Sequence, residues 1–99
     1  MITANYDDFL FEQLQDLDFA AGYLTACLEE GKDVFFLGVR NVAKANGGIK
    51  TLSDATTLNR ESLYSMLSES GNPLFSSITE VLDKLGIELA FQAKRKTIA

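Results

Sequence analysis

Arg60, Glu61, Tyr64 and Ser65 lie one and four positions apart, so a helix of 3.6 residues per turn carries them on one side. Their chemistry is that of base-edge reading. Arg60 can donate two hydrogen bonds to guanine O6 and N7, Glu61 can accept one from cytosine N4, and Ser65 can do either. Tyr64 offers its ring to a sugar or its hydroxyl to a phosphate, and Asn59 stands immediately before the group. Upstream, Lys50, Thr51, Arg40 and Lys44 carry the donors that phosphate contacts use. Other chemistries lack their parts. The chain has no His, which removes the usual general base, any Ser-His or Cys-His nucleophile pair and the commonest transition-metal ligand. The lone Cys27 allows neither an intrachain disulfide nor a zinc site. No metal, cofactor or enzymatic activity is expected.

The elements that position these residues follow from apolar spacing. Tyr6, Phe9, Leu10, Leu14 and Leu17 recur at steps of three to four and predict a short helix over 8–14. Asp16 or Asp18 then caps a second helix with faces Phe19, Tyr23, Cys27 and Ala20, Leu24, Leu28, ended by Gly31. Asp33 is expected to cap a third, with Phe35, Phe36, Val39, Val42 and Ala43 inward and Arg40, Asn41 and Lys44 outward, stopped by Asn46-Gly47-Gly48. Two short helices follow over 49–56, with Ile49, Leu52 and Ala55 inward, and over 59–68, with Leu63, Met66 and Leu67 inward and Asn59 placed to accept from the Ser62 amide. A last helix carries Ile78, Val81, Leu82 and Leu85 and ends at Gly86. Ile87, Leu89 and Phe91 then alternate with polar neighbours as a short strand without an intrachain mate, an edge expected to join a second copy. The expected fold is all-α: one domain over 1–99, a five- to six-helix bundle with a short C-terminal strand.

Two short helices joined by a tight turn, the second opening with uncommitted polar residues, describe a helix-turn-helix over about 49–68. A plainer reading stands beside it. Such helix pairs occur in many small bundles, an Arg on a solvated face often does nothing, and Tyr64 can simply cover the surface. Charge does not decide between them. The net charge of −5 disfavours nucleic acid, but it is unevenly spread. Residues 1–33 carry eight acids against Lys32, a net −7, and residues 34–99 carry +2, ending in the basic tail 94–99. The acidic front, including Asp7, Asp8, Glu12 and Asp16, is either a solvating face with helix caps or a docking surface for a basic protein. Neither a membrane span nor a signal peptide is evident, so a cytoplasmic protein is expected.

The run 52–64, LSDATTLNRESLY, followed by LSESGNP at 67–73, closely resembles the antidote proteins of HigA-type addiction modules. Phe9-Leu10 through Gln13-Leu14, Asp18-Phe19-Ala20-Ala21 with Tyr23-Leu24, and Leu28-Glu29-Glu30-Gly31 agree with the same family, and the likeness covers roughly 6–91. It implies a Xre/lambda-repressor-like helix-turn-helix and an antitoxin that silences a basic, RelE-like toxin encoded by the adjacent gene. As a homodimer, such an antitoxin represses the operon encoding both. The alternative is a protein-interaction antidote that binds its partner without specific DNA binding. The chain departs from the family pattern at Ser53 (usually Ala), Ser65 (often Arg) and Thr57 (usually Gly). A β-branched residue held left-handed at Thr57 would cost on the order of 1–2 kcal/mol.

Overall fold

The computed structural model describes residues 5–68 and 70–94, with side chains from Asp8 onward. Six helices follow one another: α1 (Asn5–Gln13), α2 (Leu17–Glu30), α3 (Lys32–Ala45), α4 (Gly48–Ala55), α5 (Arg60–Met66) and α6 (Phe75–Lys84). None of them is long and apolar enough to cross a membrane. The residues of the basic tail beyond Lys94 lie outside the described residues.

Local chemistry explains where the helices begin. Asp16, in extended backbone, caps α2 by accepting from the amides of Asp18 and Phe19 at 2.9 and 3.3 Å. Asp33 does not cap α3. The residue before α3 is Gly31, at φ 125° and ψ 168°, a conformation that only glycine adopts readily, and Asp33 lies inside the first turn beside Lys32 at 3.3 Å. This single residue links two fourteen-residue helices that pack together, so α2 and α3 form an antiparallel hairpin. Asn41 Nδ2 donates to the Tyr23 hydroxyl across it at 3.0 Å, and Asn46 Nδ2 ties the end of α3 to the Leu14 carbonyl at 3.1 Å.

One continuous core joins all the helices from α2 onward with Leu14, through Ala20, Leu24, Phe36, Val39, Val42, Ile49, Leu52, Leu63, Met66, Leu67, Ile78, Val81 and Leu82. The predicted inward faces of α3, α5 and α6 hold, with Phe35 half-buried and tilted against Phe36 at 5.9 Å. Cys27 is buried filler, and burial pushes its thiol up; the Glu30 charge adds to this and a hydrogen bond with Tyr23 opposes it. Phe19, Leu28 and Ala55, expected inside, are exposed. Arg40 and Asn41, expected outside, are half-buried because α2 and α5 pack beside them.

No strand occurs among the described residues, which corrects the expectation for Ile87–Phe91. The reason is the end of α6. Gly86 turns to φ 84° and donates to the Asp83 carbonyl at 3.0 Å, while Ile87 donates to the Leu82 carbonyl at 2.9 Å. That pair of bonds is a Schellman cap, which spends the Ile87 amide on the helix and folds its side chain half onto the core. The alternation of Ile87, Leu89 and Phe91 therefore records one residue packed inward and two left largely in solvent.

Candidate nucleic-acid interface

The helix pair α4–α5 presents the residues singled out for base reading. Leu63, Met66 and Leu67 face the core, and the opposite side of α5 exposes Arg60, Glu61, Tyr64 and Ser65. Asn59, also exposed, is the N-cap: its Oδ1 accepts from the Ser62 amide at 2.8 Å, so half of its polar capacity serves the helix. This bond matters because α5 has seven residues, fewer than the roughly 12–15 an isolated helix needs. Asn59→Ala is expected to lower folding stability by about 0.5–2 kcal/mol, and Asn59→Gly by a few tenths. Urea melts of the two variants check this; no loss in Asn59→Ala would mean that the cap contributes nothing.

The candidate phosphate contacts divide into two groups. Lys44 is exposed at the end of α3. Lys50 is exposed but pairs with Asp54 one turn on at 3.0 Å, a contact between solvated ends that is worth little and yields readily to a phosphate. Thr51 turns its hydroxyl back to the Gly47 carbonyl at 2.8 Å. Arg40 is different. Its guanidinium lies over the Tyr64 ring at 5.2 Å, a cation–π contact from α3 to the exposed face of α5, and its buried Nε has no hydrogen-bond partner. The contact joins a positive charge on α3 to the exposed ring of Tyr64 on α5.

Thr57 is not left-handed: among the described residues every positive φ belongs to a glycine. The expected strain is absent because the turn is held by side chains. The Thr56 hydroxyl donates to the Leu52 carbonyl at 2.8 Å and accepts from the Leu58 amide at 3.2 Å. Thr57 donates its amide to Glu80 Oε2 at 2.8 Å and its hydroxyl to Oε1 at 3.0 Å. Glu80, on α6, escaped the sequence reading, since nothing local links it to a residue 23 positions earlier.

The acidic front falls elsewhere. Asp8 and Glu12 are exposed one turn apart on α1, and Asp16 is committed to the cap of α2. The Asp7 side chain lies outside the described residues. Among the described residues no cluster of potential metal ligands occurs.

Comparison with known proteins adds a family. Residues 4–93 match the profile of a family described as "Probable addiction module antidote protein". An uncharacterized protein of Haemophilus influenzae is 30% identical over 94 residues, covering 85% of this chain and 96% of the relative. No solved structure matches.

Proposed function

The chain belongs to the addiction module antidote family, and from that premise we propose that it neutralises a RelE-like toxin and, as a dimer, represses its own operon by binding operator DNA. The observation that carries the DNA half is the α5 face, where Arg60, Glu61, Tyr64 and Ser65 stand exposed on a short helix following a tight turn. In a helix-turn-helix of the Xre and lambda-repressor type, α4 crosses the phosphate backbone while the start of α5 enters the major groove. Lys44 and Lys50 then meet phosphates, and Arg40 holds Tyr64 against the strand. One α5 reads one half-site, so a two-fold operator calls for two copies. Anisotropy titration with the chain's own promoter tests this: selective binding that weakens steeply with salt is expected, and none at low salt would remove the repressor role.

The net charge of −5 favours a second reading, an antidote that binds its toxin and no specific DNA. The same titration separates the two.

For the toxin we propose the acidic front. An RNA-cleaving partner is basic, and an acidic surface away from α5 speeds encounter while leaving the operator face free. Reversing Asp8 and Glu12 to Lys is expected to slow toxin association several-fold at low salt, with the slowing fading toward physiological ionic strength, where screening acts beyond about 8 Å. Asp16 is best left intact, because its reversal also removes a cap. Stopped-flow association rates check this; an unchanged rate at low salt would reduce these acids to a solvated face.

A further inference from the structure

We propose that Glu80 is a positioning residue for the reading helix: from α6 it locks the turn that sets the angle of α5 against α4. The inference rests on the reading of α5 as a DNA-contacting helix.

A helix pair of this kind works only if its two members keep one relative orientation. The connection between α4 and α5 runs through Thr56, Thr57, Leu58 and Asn59. Thr56 and Asn59 bond only within the pair, Thr56 to Leu52 and Leu58 and Asn59 to Ser62. Thr57 alone among them is hydrogen-bonded from outside it, and both of its donors go to one carboxylate. Bonds to an ionised acceptor are about twice as strong as neutral ones, and two of them to one planar group fix direction as well as distance. The anchor itself is held by packing. Ile78, Val81 and Leu82, on either side of Glu80 along α6, are all core residues, so the carboxylate projects from a backbone that packing has already placed. Thr57 is exposed and contributes no apolar burial, so its bond to Glu80 is what ties it to α6.

Loss of the lock leaves the fold standing. α5 keeps its Asn59 cap and its buried Leu63, Met66 and Leu67. The tilt of α5 is what changes. Bidentate base contacts demand that tilt, whereas phosphate contacts are sequence-blind and tolerate a looser arrangement. Removing Glu80 therefore strikes selectivity before it strikes binding in general.

The test uses the full chain, with anisotropy measured against its own operator and against a shuffled duplex of equal length at one salt concentration. Glu80→Ala is expected to weaken operator binding about ten-fold, the scale of one lost bidentate contact, with the shuffled duplex bound as before. Glu80→Gln retains most of the selectivity, because its amide oxygen accepts the Thr57 amide proton and its NH₂ donates to the Thr57 hydroxyl. Thr57→Ser keeps both bonds and binds as the wild type, while Thr57→Val loses one and falls between. Glu80→Ala in an Arg60→Ala background should cost less than in the wild type, since a misaimed reader has less to lose. Wild-type selectivity in Glu80→Ala overturns the inference, as does an equal loss on both duplexes, which marks a general structural role. Failure of the wild type to prefer its operator overturns the DNA reading itself and the inference with it.

Discussion

Leu63→Ala is expected to lower folding stability by about 2–5 kcal/mol, the cost of a buried leucine whose cavity closes only in part. Leu63 is fully buried at the centre of α5 and belongs to the same core as Leu67, Val81 and Ile49. A domain of this size has roughly 5–15 kcal/mol to lose, so this one truncation removes a large share. The midpoint of thermal unfolding should fall by on the order of 10–30 °C. The damage reaches the proposed DNA face as well, because a seven-residue helix has little stability of its own and the exposed side opposite Leu63 keeps its shape only while that leucine is packed. Urea unfolding with an unchanged dependence on denaturant would attribute the loss to the native state. A shift below about 1 kcal/mol would mean that α5 does not pack as described.

Arg60→Ala is expected to have the opposite profile: operator binding weakened by about 1–3 kcal/mol and folding stability untouched. Arg60 is exposed at the first position of α5, where the positive end of the helix dipole disfavours a cation by a few tenths of a kcal/mol. A residue that folding tolerates rather than requires is available for a ligand. Its loss should also flatten the preference at one base position, as a missing bidentate guanine contact does. Lys50→Ala is the useful contrast, because removal of a phosphate contact weakens all sequences alike and reduces the salt dependence. Identical rankings of operator variants by Arg60→Ala and the wild type would exclude Arg60 as a base reader.

These two expectations draw on different parts of what the chain makes legible. The core residues of α3, α5 and α6 follow from period alone, because a helix that must bury one side repeats its apolar residues every three or four positions. Asn59, and Asp16 as one of two candidates beside Asp18, are legible as caps for a similar reason: each bond spans two or three residues, and everything needed lies in one short window. The exposed face of α5 follows as the complement of its buried side. Where the local signal was read too literally it misled, as with Asp33, whose place before α3 is taken by Gly31, and with Ile87, Leu89 and Phe91, where alternation suggested a strand.

What the sequence by itself determined is thus the run of helices, the Asn59 cap and, for α3, α5 and α6, the side turned inward, because those depend on neighbours within a turn or two. The tertiary structure alone decided which polar side chains touch across the bundle. Arg40 and Tyr64 are 24 positions apart, and Thr57 and Glu80 are 23 apart. No periodicity encodes such pairs, since each arises only after the apolar faces have packed and fixed how the helices lie. The same packing gave Thr57 a carboxylate partner in place of a left-handed backbone, and it drew Ile87 into a helix cap.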